Sequence, residues 1–124
     1  MYIYYCLFIV MLMPILLALG AIPFRLKQFA HPDINAPREQ AEKLTGVGAR
    51  IVSAQKNAWE GLILFSVSLF IAVENNVAVD DISLACTIYV IARILHAGFY
   101  LANLGILRFI SFLVAFVCIV TIAL

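Results

Sequence analysis

The sequence predicts an all-α integral membrane protein, a bundle of four transmembrane helices in a single domain covering residues 1–124. Three observations carry that reading. The 124-residue chain is 65% hydrophobic and 12% charged, with a mean hydropathy of +1.09, whereas soluble domains are about 45–50% apolar. Four apolar runs, 2–24, 48–73, 82–102 and 106–124, match the roughly 20 helical residues needed to cross a hydrocarbon core. A polar stretch, 25–45, separates the first two runs, and the chain is too short for an additional soluble module.

The first run contains Pro14, expected to kink the helix and free a carbonyl that a neighbouring helix must cover. Ala18-Leu19-Gly20-Ala21 offers small residues for signal cleavage. No basic segment precedes the run, however, and it exceeds the roughly 7–15 apolar residues of a signal peptide, so it is read as a retained span. In the polar stretch, Asn35-Ala36-Pro37-Arg38 reads as the start of a short interfacial helix, with Asn35 as cap and Pro37 tolerated in the first turn. A bend is expected near Gly46 and Gly48. Asp80 and Asp81 are natural caps for the third span, and Asn103-Leu104-Gly105 makes the turn into the fourth.

The net charge of +1, with no basic block and no aromatic-basic interleaving, excludes nucleic acid as a partner. Cys6, Cys86 and Cys118 all lie within apolar runs and show no CxxC or Cys/His spacing. They read as small buried hydrophobes, and no metal site is expected. Arg25, Lys27, Arg38 and Lys43 fall in the first loop and Arg108 follows the third, while the second loop and both ends carry no basic side chain. The first and third loops are therefore expected to face the cytoplasm, with both termini on the non-cytoplasmic side.

A polar segment interrupts the second run. Stepping about 100° per residue places Arg50, Ser53, Asn57 and Glu60 within an arc of about 80°. Gln55 and Lys56 fall outside that arc, Lys56 close enough to a span end to snorkel. In the third run Tyr89, Arg93, His96, Tyr100 and Asn103 recur at helical spacing. Both stripes lie toward the cytoplasmic side of antiparallel helices. Glu60 is expected at the depth of Arg93, as an ion pair with it, and Arg50 and Asn57 near Tyr100. Ionisable groups within spans are costly and mark pathways or ligand sites. Clustered arginines with Asn, Glu and Tyr suit a small ligand bearing carboxylates, an amine and amides. An arginine and a tyrosine hydroxyl near a thiol favour its thiolate.

Arg50-x-x-x-x-Gln55-x-Asn57-x-x-Glu60 in the second span, with Arg93-x-x-His96-x-x-x-Tyr100 and then Arg108, resembles the membrane-associated proteins in eicosanoid and glutathione metabolism, the MAPEG family. The Asn35-Ala36-Pro37-Arg38 turn resembles a bacterial branch of it, which implies a bacterial inner membrane. The resemblance implies a homotrimer with glutathione as co-substrate, bound between subunits near the cytoplasmic side. It assigns Arg50, Asn57, Glu60, Arg93 and His96 to glutathione contact or support of the pocket, and Arg38 to a loop contact. Tyr100 and Arg108 take the catalytic part, stabilising the thiolate. The chain departs from some members at Ser53, where they carry an arginine, and at Gly61, where they carry an aromatic residue. Arg108 is one position out of register with one subfamily.

The function expected is that of a glutathione-dependent transferase or peroxidase acting on lipophilic electrophiles drawn from the bilayer. Two alternatives have a different character: a non-catalytic trimeric membrane protein or ligand sensor, and a small transporter with Glu60 as a proton-coupled site.

Overall fold

In the computed structural model, which describes residues 2–124, the chain forms six α-helices: α1 (Tyr2–Gly20), α2 (Ile22–Phe29), α3 (Pro37–Glu42), α4 (Gly46–Glu74), α5 (Val79–Leu101) and α6 (Gly105–Ala123). Four are long and apolar enough to cross a membrane: α1 running on into α2, α4, α5 and α6. The protein is thus a multi-pass, four-span helical membrane protein. An even number of spans puts both termini on the same side.

The first span extends past residue 24, because α2 carries the helical path on to Phe29. Arg25 and Lys27 therefore ride on a helix and not in a loop. The interruption falls at Ala21, while α1 passes through the buried Pro14 without a break. Pro23 has no N–H to offer the carbonyl of Leu19. The N–H of Ala21 is shared between Leu17 O at 3.1 Å and Ala18 O at 3.2 Å, a tightened last turn.

Helix α3 begins at Pro37 as the proline predicts, but Asn35 is not its cap. Asp33 Oδ1 instead accepts the N–H groups of Asn35 and Ala36, each at 2.9 Å, a local turn that aspartate forms readily. These backbone donors, Ala36 foremost, hold the Asp33 carboxyl below its usual range. Gln40 closes the loop from the other side, donating to His31 O and accepting from the Asp33 N–H, both at 3.0 Å.

Helix α4 starts at Gly46, whose φ of +58° is the left-handed bend expected there. At Gly48 a Cβ would stand 3.0 Å from the Phe24 Cβ and 3.3 Å from a Leu44 methyl. The missing side chain lets α2 and α4 close against each other. At its far end α4 stops at Asn76 (φ +55°), and α5 stops at Asn103 (φ +59°). Both ends form a Schellman motif: Val77 N–H reaches Ala72 O at 3.0 Å, and Leu104 N–H reaches Phe99 O at 2.9 Å. Asn103 thus terminates the third span and does not extend its polar face. Asp80 and Asp81 are not caps either. The cap position is Ala78, with no side-chain bond, and the two carboxylates lie in the first turn of α5, where negative charge favours the helix dipole.

The α4–α5 and α5–α6 pairs, joined by these short turns, pack antiparallel, and α1 lies along α4 and α5. One apolar cluster gathers Val10, Phe65, Leu69, Ile82, Tyr89 and Ile122 at the end that holds both termini. The three cysteines, unpaired, are buried in it. A second cluster of Ala21, Ala41, Leu44, Ile51 and Val52 sits at the loop end, where α2 and α3 meet α4. Between the two lies the polar layer. Outward-facing residues such as Tyr4, Phe70, Leu84 and Ile106 are more than 60% exposed, as expected where lipid tails are the solvent.

Candidate functional site

Four hydrogen bonds from three side chains rivet α4 to α5 in antiparallel order. Tyr89 OH donates to Gly61 O at 2.7 Å, Arg93 Nη2 donates to both the backbone O and the Oδ1 of Asn57 at 2.7 Å, and Arg50 Nε donates to Leu101 O at 3.0 Å. Since Leu101 follows Tyr100 directly, Arg50 sits at the expected level. Asn57 does not; it lies two helical turns closer to the termini, beside Arg93. Tyr89, buried with its ring stacked 4.4 Å from that of Phe65, anchors the apolar side of the layer.

The expected ion pair between Glu60 and Arg93 is absent. Among the described residues the one ion pair within 4.0 Å joins Lys56 to Glu42, at 3.4 Å on the surface. Glu60 is exposed, while Arg93 is 4% exposed, so the two sit at one depth yet in different surroundings. Helical phase placed both on the shared face, as expected. The choice of partner followed from Gly61, at which a Cβ would lie 2.7 Å from the Arg93 Cζ and Nε. That vacancy lets the guanidinium lie flat on α4 and turn toward Asn57.

Asn57, Glu60, Gly61, Tyr89 and Arg93 line one wall of a cleft of about 40 Å³, faced across by Phe112, Phe116 and Ile119 of α6. Ligand pockets span roughly 300–1,000 Å³, so this cleft alone holds a head group and not a whole tripeptide. On the same face of α5, nearer the loops, the buried His96 meets the Tyr100 ring edge-on with centroids 5.7 Å apart. The Arg108 guanidinium lies 4.3 Å over the other ring system, Tyr100, a cation-π contact. Helix α6 delivers it there in its first turn. Tyr100 and Arg108 are half-buried.

A larger cavity, about 440 Å³, opens on the opposite side of α4. It is lined by Arg25, Arg38, Gln55, Lys56 and Trp59, with Glu42 as its one carboxylate. Arg38 is exposed on α3 and belongs to this second cavity, apart from Asn57 and Arg93. In the sequence Arg25 counts only as a loop charge, and Gln55 belongs to the span 2 motif but falls outside the polar arc. The Arg25 Nε is buried without a hydrogen-bond partner among the described residues. The signal that could have found it is its place one turn beyond Ala21, on a helix that Pro23 starts.

The structure thus brings together Asn57, Glu60 and Arg93 in one cleft, groups His96, Tyr100 and Arg108 beside it, ties Arg50 to the end of α5, and sets Arg38 apart. No curated protein and no solved structure matches the chain. The family model described as the MAPEG family matches residues 2–124, essentially the whole sequence, and with the four-span bundle already in place the conclusion is direct: the chain belongs to the MAPEG family.

Proposed function

We propose that the protein is a glutathione-dependent transferase or peroxidase acting on lipophilic electrophiles, with glutathione bound between the subunits of a homotrimer near the cytoplasmic face. The observation that carries this reading is the division of polar residues between two faces of α4. Asn57, Glu60 and Gly61 face the small cleft, while Gln55, Lys56 and Trp59 face the large cavity, roughly 140° around the helix. A ligand that needs both faces can have them only from two copies of the chain. The basic cavity of one subunit, with the free Arg25 donor, would then receive carboxylates at the cleft of the next, where Glu60 is open to accept an ammonium.

The chemistry follows from Tyr100 and Arg108. The Tyr100 hydroxyl and the guanidinium stacked on its ring supply donors and positive charge to a thiolate. The thiol proton leaves to solvent, the sulfur lone pair forms the new bond to an electrophilic carbon, and the leaving group departs with its electrons. On a hydroperoxide the same thiolate attacks the terminal oxygen, the O–O bond breaks and the alkoxide leaves as the alcohol; a second glutathione then attacks the sulfenic sulfur, and water departs as the disulfide forms. Flanking apolar side chains, Phe112 and Phe116 among them, admit the second substrate from the bilayer.

With the basic residues Arg25, Lys27, Arg38 and Lys43 gathered at the loop end, that end lies in the cytoplasm and both termini lie outside, in a bacterial inner membrane. The test is turnover in proteoliposomes with glutathione and a lipophilic aryl halide or lipid hydroperoxide. Conjugate or disulfide formation that saturates with glutathione supports the reading, and none with either substrate defeats it. One observation favours the non-catalytic alternative: the buried Arg93 and Tyr89 and the half-buried Arg50 are engaged within the chain, as packing glue would be. Glutathione binding without turnover would select it.

A further inference from the structure

We propose that Arg93, seated in the niche left by Gly61, is a positioning residue that turns the Asn57 side chain so that its Nδ2 amino group, and not its carbonyl, faces the ligand. The inference rests on the glutathione reading for the identity of the ligand and on this chain alone for the geometry. A guanidinium is only a donor, and an asparagine amide is an acceptor on one edge and a donor on the other. With Arg93 Nη2 at 2.7 Å from Oδ1, the oxygen edge is taken and the amide plane is set. A second bond from the same nitrogen to the Asn57 backbone O, also 2.7 Å, pins the guanidinium to α4 and removes the alternative rotamer.

Nδ2 then makes no hydrogen bond among the described residues and is not sealed from the cleft that Asn57 lines. The ligand group at Asn57 is therefore an acceptor, a carbonyl or carboxylate. Gly61 is the permissive element. Any side chain there would meet Cζ and Nε at 2.7 Å, expel the guanidinium and leave the amide free to turn. Where some members carry an aromatic residue at this position, here the space holds an arginine. A site so oriented rejects a ligand with a donor at that point, because two facing N–H groups leave both unpaired in low dielectric.

The test compares full-length variants in detergent by thermal unfolding, with and without glutathione. Asn57→Asp keeps both acceptors for Arg93, and gives that buried cation a counter-charge, but it deletes the donor. The proposal expects its melting temperature to match or exceed the wild type and its glutathione affinity to fall about tenfold or more. Wild-type affinity in Asn57→Asp overturns it. Arg93→Met, which packs without a buried charge, should weaken glutathione binding, and Arg93→Lys should restore much of it; undiminished binding in Arg93→Met also overturns it. If the wild type shows no glutathione response, the glutathione reading falls, and the glutathione-free melts decide the rest. A lower melting temperature in Asn57→Leu but not in Asn57→Asp upholds the clamp, and equal values for the two overturn it.

Discussion

The guanidinium of Arg93 lies against Asn57, 2.7 Å from both of its oxygens, and Glu60 stands without an ionic partner at the same depth. The buried cation is held by neutral acceptors, and the carboxylate one turn on remains open for a ligand. Glu60→Gln should therefore leave stability within about 0.5 kcal/mol, as for surface changes that touch no partner, while glutathione binding weakens severalfold. Denaturant titration beside binding isotherms checks both halves.

Tyr89→Phe removes the 2.7 Å bond to Gly61 O and leaves the ring stack with Phe65 in place. The cost expected is about 1 kcal/mol, the net worth of one buried hydrogen bond. Unfolding of the purified variant measures it, and a change above about 3 kcal/mol would mean that the hydroxyl does more than close this contact.

Gly48→Ala forces a methyl to 3.0 Å from the Phe24 Cβ, with backbone-anchored atoms on both sides. Overpacking of this kind costs about 1–3 kcal/mol. The loss should appear first as faster hydrogen exchange at the α2–α4 junction, because that junction is where the two helices must part.

Arg108→Met deletes the charge over the Tyr100 ring without touching the apolar core. Turnover should drop about 100-fold, the scale seen when one preorganised donor to a developing anion is lost. The ultraviolet absorbance of bound thiolate should vanish while glutathione affinity changes little. Equal losses of affinity and turnover would assign Arg108 to binding.

At the loop, Asp33 is held low by the Ala36 and Asn35 N–H groups. A depressed carboxyl contributes stability that is present above its unfolded value of about 3.9 and is lost as pH falls through its folded value. Carbonyl carbon shifts of Asp33 should titrate with a midpoint below about 3.9, and the Asn35 and Ala36 amides should lose protection over that same acid range.

The spans and the two polar stripes were legible because hydrophobic length and helical phase are properties of the sequence alone. Arg93, His96 and Tyr100 do share a face, and Asn57 and Glu60 do look onto it. The partner of Arg93 was not legible, because phase fixes a direction to within tens of degrees while a hydrogen bond needs a vacancy of atomic size. That vacancy is Gly61, visible in the sequence as a departure from the family and explained only when the guanidinium is seen filling it. Arg25 was hidden for another reason. The apolar run ends at residue 24, where the polar stretch begins, and the chain instead forms a second helical segment that carries Arg25 down to the cavity of Gln55 and Trp59. Asn103 fitted the spacing of the α5 stripe but serves the helix end, since asparagine tolerates a positive φ.

The most direct test of glutathione as the occupant of the polar layer is the melting temperature of the detergent-solubilised wild type across a glutathione series. A ligand that binds only the folded protein stabilises it by RT ln(1 + [L]/Kd), about 2.7 kcal/mol at 100 times Kd. The melting temperature should rise continuously with the logarithm of glutathione concentration, and in Glu60→Gln the rise should begin at severalfold higher concentration. A melting temperature that stays flat through millimolar glutathione contradicts glutathione as the occupant.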